Sequence, residues 1–147
     1  MKINRMKITF LSLTENEAFA RNVVAGFCLS LNPTIDEIIE IKTAVSEAVT
    51  NAIVHAYSDT TGEITIGAEI IGDTLYISVS DNGVGIADID KAVQPFYTSK
   101  PDDERTGMGF TVMESFMDRV EVKNNSGGGI SVYMQKKIGN NAVEIVA

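Results

Sequence analysis

The chain has 147 residues, 44% hydrophobic and 22% charged, with one cysteine, no tryptophan and a formal net charge of -8. This composition fits one globular domain over residues 1–147, since a chain of this length can bury about 70% of its unfolded surface without staples. Cys28 has no second cysteine to pair with, and the acid excess disfavours direct nucleic-acid binding and favours a basic protein partner.

Residues 8–90 hold thirteen Asp and Glu against only Arg21 and Lys42, whereas residues 91–147 hold seven of each sign. Lys2, Arg5 and Lys7 precede a short apolar run that Thr14, Glu15, Asn16 and Glu17 interrupt. That run is too short for a secretory signal, and nothing approaches the ~20 residues of a membrane span, so the expectation is a cytoplasmic protein.

Residues 7–11 read as a short strand. Thr14 followed by Glu17 has the pattern of a capping box opening a first helix, which the spacing extends to about residue 31 with Phe19, Val23, Phe27 and Leu31 as its buried stripe. Pro33 ends the connection, and Thr34 with Glu37 opens a second, longer helix over about residues 35–56. Ile38, Ile41, Val45, Ala48, Val49 and Ala52 form its apolar side.

The period then changes to two. Ile64, Ile66, Ala68 and Ile70 alternate, Gly72-Asp73 turns the chain, and Leu75, Ile77 and Val79 return as the second strand of a hairpin. Residues 81–106 form a polar, glycine-containing stretch too long for an ordinary connection, which points to a functional loop or a disordered one. A third helix starts at Gly107 to Gly109 and runs to about residue 117 with Val112, Met113 and Phe116 buried. Residues 120–124 and 130–136 make a last hairpin around Gly127-Gly128-Gly129, and the tail over residues 139–147 is weakly specified. Helices and strands in blocks predict an α+β two-layer sandwich, with a mixed, mostly antiparallel sheet covered by helices on one face.

Glu47, Asn51 and His55 follow one another at intervals of four on the second helix and share one face. A solvated helix face would explain three such residues taken alone. Alanines at 44, 48, 52 and 56 speak for a ligand instead, because they leave room beside the polar face. Asp81-Asn82-Gly83-Val84-Gly85 follows a strand directly. It reads either as a flexible turn or as a fixed acceptor, Asp81, beside glycines that let the backbone approach a planar or phosphorylated ligand. Thr106-Gly107-Met108-Gly109 opens a helix, where free N–H groups and the dipole favour an anion, and Lys100 and Arg105 precede it. No Walker A sequence, complete dinucleotide fingerprint or eukaryotic kinase signature occurs.

In this order, the polar helix face, the Asp-x-Gly-x-Gly turn, the long loop and the Gly-x-Gly helix start resemble the GHKL ATPases, the class of gyrase, Hsp90, histidine kinases and MutL. The run Glu47-Ala48-Val49-Thr50-Asn51-Ala52-Ile53-Val54-His55-Ala56-Tyr57 is similar to the N box of the small anti-sigma serine kinases. Residues 94–101 and 104–118 are similar to the lid and second glycine box of their sporulation, anti-sigma F, branch. The resemblance implies that Asn51 offers its side-chain oxygen to Mg2+ on the ATP phosphates and that Glu47 orients or deprotonates the attacking hydroxyl. It implies that Asp81 accepts from the adenine amino group, with Gly83 and Gly85 permitting the approach. Residues 87–106 become an ATP lid carrying Thr98, Lys100, Arg105 and Thr106, while Gly107 and Gly109 contact phosphate. Ser131 stands for the hydroxyl beside the adenine-binding Asp, although Gly129-Ile130-Ser131 departs from the usual Gly-Thr-Thr.

The implied partners are sporulation sigma factor F, held by an ATP-bound homodimer, and an anti-anti-sigma factor of the SpoIIAA type, phosphorylated on serine with ADP as product. Arg21 matches a partner-contacting arginine, or is an ordinary exposed helix residue. A histidine in cis is not the expected acceptor, since only about 40 residues precede Glu47 and His55 lies inside the N box. Three other readings stay open: a stress-response anti-sigma kinase with another sigma partner, a catalytically silent nucleotide-dependent sequestering module, and an ATP-driven clamp, for whose transducer domain little chain remains.

Overall fold

The computed structural model describes residues 2–83 and 109–139. Five strands form one sheet in the order β1-β2-β3-β5-β4: β1 Ile3–Leu11, β2 Glu63–Ile71, β3 Thr74–Asp81, β4 Arg119–Asn124 and β5 Ile130–Lys137. The expected mixed sheet is simpler than that, for every pair of neighbouring described strands is antiparallel. Helix α1 (Asn16–Phe27), extended by a 3-10 turn over Cys28–Leu31, and helix α3 (Gly109–Phe116) flank helix α2 (Ile35–Asn51).

Alternation sorts the strand side chains. Ile64, Ile66, Ala68 and Ile70 of β2, Leu75, Ile77 and Val79 of β3, and Ile130, Val132 and Met134 of β5 are buried in one core with Ile41, Val45 and Val49 of α2. The other sheet face carries Arg5, Lys7, Tyr76, Tyr133 and Arg119 around a groove of about 540 Å³. β1 begins four residues earlier than the apolar run suggests, because Ile3 to Met6 continue its pairing with Ile71 to Ala68. Arg5 and Lys7 suit an edge strand, where their charge discourages pairing with another chain.

Thr34 caps α2 as expected: its hydroxyl accepts from Glu37 N–H at 3.0 Å and the Glu37 carboxylate accepts from Thr34 N–H at 2.9 Å. The analogous box at Thr14 and Glu17 does not form. Glu15 occupies the N-cap without a side-chain cap bond. The Glu17 carboxylate instead accepts from Arg21 Nη1 at 2.7 and 2.8 Å and from the Ser46 hydroxyl of α2, so a tertiary contact has taken the group from the local one. The buried stripe of α1 is likewise one position on from the expected one. Ala20, Val24 and Cys28 are buried, whereas Phe19 is 51% exposed, its ring edge meeting Phe10. Small residues at four-residue spacing let α1 lie close to α2, which bulky phenylalanines would prevent.

Lys136 is the one charged side chain of β5 that points among the helices and is buried there. Its Nζ donates to Glu40 Oε2 at 2.9 Å and to the carbonyl of Phe116, in the last turn of α3, at 2.7 Å. A cation at a helix C-terminus is favourable, and this one ties the end of α3 to α2.

Gly129, at φ +83°, turns the β4–β5 hairpin so closely over β3 that an added Cβ would lie 2.0 Å from the Asp81 carbonyl oxygen. Gly129→Ala is therefore expected to lower Tm by roughly 5 °C or more, read by a thermal melt, from left-handed strain and displaced backbone together.

Candidate functional site

Glu47 and Asn51 sit half-buried on α2, at its end facing the start of α3. A Cβ added at Gly109, the first residue of α3, would lie 2.8 Å from Asn51 Nδ2, 3.3 Å from Asn51 Oδ1 and 3.2 Å from Glu47 Oε2. The missing side chain thus leaves a cradle in which a carboxylate and an amide converge on the first described turn of α3. Two hard oxygen donors meet at this point, a set chemically fit for a magnesium ion carried on an anion.

Three of the four alanines do not provide the room. Ala44, Ala48 and Ala52 are buried in the core, where they let α2 approach the sheet, and the space beside Asn51 comes from Gly109. After Asn51 the helix changes to a π turn over Ala52–Ala56, a form found often at functional sites. The expected extent to residue 56 holds, but not its uniform α geometry.

Asp81 ends β3 on the helix-covered side of the sheet and is only 3% exposed. Its Oδ1 accepts from Gly83 N–H at 2.9 Å and from Ile130 N–H at 3.3 Å. Among the described residues nothing donates to Oδ2. Burial raises the pKa of this carboxyl, and the two backbone N–H bonds oppose that rise. A buried carboxylate with one oxygen still open is fit to receive a polar donor from a ligand.

The turn after Asp81 is gripped from two sides. A Cβ on Gly83 would lie 2.5 Å from both Cβ and the carbonyl oxygen of Ala56, so only glycine fits against the end of the π turn. On the other side, Asn125 Nδ2 donates to the Asp81 carbonyl at 3.2 Å.

Of the residues singled out in the sequence, Glu47, Asn51 and Gly109 come together, and Asp81 and Gly83 form a second group beside Ala56, at the end of the π turn that follows Asn51. Ser131 joins neither. Strand alternation puts it opposite Ser80 on the other sheet face, where its hydroxyl lies 2.8 Å from Ser80 Oγ and donates to Asn125 Oδ1 at 2.8 Å. Ile130 is the side chain of that strand on the Asp81 side. Arg21 stands apart on α1, paired with Glu17. Gly85, Thr98, Lys100, Arg105, Thr106 and Gly107, with the lid over residues 87–106, lie outside the described residues, as does the tail beyond Gly139.

Two residues that the sequence reading passed over touch the site. Asn125 lies in a hairpin turn, where Asn is unremarkable. Tyr57 closes the quoted N-box run, and nothing in that run separates an aromatic packing residue from a hydroxyl with a purpose.

The sequence profile of the histidine kinase-like ATPase domain matches residues 10–136. The anti-sigma F factor of Caldanaerobacter subterraneus subsp. tengcongensis is 54% identical over 138 residues, spanning 94% of this chain and 96% of its own. That of Clostridium acetobutylicum is 54% identical over 134 residues, 91% and 94% of the two chains, and that of Pasteuria penetrans 51% over 140 residues, 94% and 93%. Among solved structures, the RsbU and RsbW domains of a Mycobacterium tuberculosis protein match with a TM-score of 0.65 at 18% identity, over 92% of this chain and 32% of that one. The catalytic domain of histidine kinase ThkA matches with a TM-score of 0.59 at 17% identity, over 94% and 99%. These two likenesses bear on the fold alone. The chain belongs to the histidine kinase-like ATPase family and, within it, to the anti-sigma F factors. Among its described residues, no helix is long and apolar enough to cross a membrane.

Proposed function

We propose that the protein is an anti-sigma factor and an ATP-dependent protein serine kinase, which holds sporulation sigma factor F and phosphorylates an anti-anti-sigma factor of the SpoIIAA type. The observation that carries this reading is the meeting of Glu47, Asn51 and Gly109 at the last turns of α2, with Asp81 and Gly83 beside Ala56 at the end of the π turn that follows. From Glu47 to Ala56 the helix rises about 13 Å, close to the reach of an extended nucleoside triphosphate from its terminal phosphate to its base.

In this reading the adenine amino group donates to Asp81 Oδ2, and Gly83 and Gly85 let backbone lie against the ring. The triphosphate runs along α2 to the N-terminus of α3, where the amides following Gly109 offset its charge. Asn51 would hold a magnesium ion through Oδ1, and the ion would supply charge neutralisation on the transferring group. By the resemblance, Thr98, Lys100, Arg105 and Thr106 of the lid stretch over residues 87–106, and Gly107 after it, would contact the phosphates.

Glu47 then accepts the proton of the partner's serine hydroxyl. The serine oxygen forms its bond to the γ-phosphorus as the bond from that phosphorus to the β,γ-bridging oxygen breaks, leaving phosphoserine on the partner and ADP on the enzyme. A histidine acceptor would not require a carboxylate base in this role, whereas a serine hydroxyl does.

Sigma capture belongs to a homodimer in the ATP state, and the anti-anti-sigma factor displaces sigma as it docks. Since a ligand shifts an equilibrium only by its differential affinity, a sigma pull-down should retain more with ATP than with ADP; equal retention removes the nucleotide switch. Arg21 is the partner contact in this scheme, and its ion pair with Glu17, a carboxylate that also accepts from the Ser46 hydroxyl of α2, holds it in place on α1. Arg21→Ala should weaken capture about 10-fold, the scale of one charge-assisted hydrogen bond, with ATP titration unchanged. Undiminished capture would discard the contact.

A further inference from the structure

The backbone pairing of β2 with β3 runs in register up to Ile64 opposite Asp81. One step further, the same register would put Glu63 opposite Asn82. No direct bond is made there. The hydroxyl of Tyr57 stands between the two, accepting from Asn82 N–H at 2.7 Å and donating to the Glu63 carbonyl at 2.9 Å. A side chain from the end of the π turn is thus inserted into the sheet ladder at the residue that follows Asp81.

The ring has little freedom to leave. It lies over Gly62, where an added Cβ would be 2.2 Å from Tyr57 Cε1. Gly62 is itself fixed on Ser12 by two bonds, Ser12 N–H to its carbonyl at 2.8 Å and its own N–H to Ser12 Oγ at 2.9 Å. The backbone at Tyr57 is anchored in turn by its N–H, which donates to the carbonyl of Ala52 at 3.3 Å. One oxygen therefore joins the end of the π turn, the start of β2 and the loop that carries the buried carboxylate.

We propose that Tyr57 is a positioning residue for the base end of the site: by bridging Asn82 and Glu63 its hydroxyl holds the turn from Asp81 to Gly83, and so sets selectivity for a base that bears an exocyclic amino group. This rests on the reading of Asp81 given above. Pre-organisation of a supporting shell is what keeps a buried acceptor aimed at its donor. Without the hydroxyl, Asn82 N–H and the Glu63 carbonyl turn to water, the ring still packs, and the carboxylate is held only by its own backbone bonds.

Tyr57→Phe keeps the ring and removes the bridge. The test titrates wild type and variant with ATP and with inosine triphosphate, which replaces the amino group by a carbonyl, and follows exchange of the Asn82 amide in the nucleotide-free protein. The expected result is ATP binding about 10-fold weaker in the variant with little change for inosine triphosphate, so that the ratio shrinks, and faster Asn82 exchange at an unchanged Tm. A general loss of folded protein would weaken both nucleotides alike and leave the ratio as it was. If wild type prefers ATP and Tyr57→Phe keeps the same ratio, or if Asn82 exchange is unaltered, the role of Tyr57 is overturned. If wild type shows no preference, the assignment of Asp81 is overturned and the selectivity role falls with it.

Discussion

Glu47→Gln is expected to slow phosphoryl transfer to the partner about 10²–10⁴-fold, the range for loss of a positioned general base, while ATP affinity stays within about twofold. The substitution keeps the shape of a half-buried side chain whose Oε2 lies 3.2 Å from the Cβ position of Gly109. It removes only the capacity to take a proton. No hydrogen bond among the described residues restrains that carboxylate, so its replacement leaves none of their groups without a partner. A single-turnover assay with bound ATP separates transfer from binding. Transfer at the wild-type rate would exclude Glu47 as the base.

Asp81→Asn is expected to weaken ATP binding about 100-fold or more, since a charge-assisted bond of about 3 kcal/mol is lost and an amide NH2 then faces the adenine amino group, donor against donor. The same change should leave the nucleotide-free protein at least as stable. Asn keeps an oxygen to accept from Gly83 and Ile130 N–H, and the buried charge is gone. The pH dependence follows from the direction of the shift. Burial raises the Asp81 pKa in the folded state above its ordinary value of 3.8, so between the two values the folded chain binds more protons here than the unfolded one. Its contribution to stability is therefore greatest below that window and is lost as pH rises through it. Asp81→Asn should remove this slope from a plot of Tm against pH, and an unchanged slope would contradict the burial of a charged carboxyl. Nucleotide binding offsets the cost at neutral pH by supplying the missing donor.

Local signals carried much of the fold. The alternation of Ile64, Ile66, Ala68 and Ile70 and the Thr34–Glu37 box depend on neighbours in the chain, and both formed as read. Glu47 and Asn51 share a face because any α-helix puts residues four apart on one side.

Competition between distant elements lay beyond such patterns. Glu17 satisfies a capping pattern, yet Arg21 and Ser46 hold it. Which of two adjacent four-residue stripes of α1 is buried depends on how closely α1 meets α2. Ser131 and Ile130 are neighbours in sequence, and only the register with β3 shows that the isoleucine, not the serine, is on the side of Asp81. The tyrosine bridge joins residues 57, 63 and 82, a contact that the spacing of the sequence does not encode.

The central claim is that this site moves a phosphoryl group from ATP to a serine of a protein partner. Incubating the purified chain with γ-labelled ATP, magnesium and a SpoIIAA-type anti-anti-sigma factor, and mapping the labelled residue, tests it most directly. The account predicts label on one serine of the partner, with ADP formed in equal amount and both lost in Glu47→Gln. ATP binding without label on the partner, or label on a histidine, would contradict it.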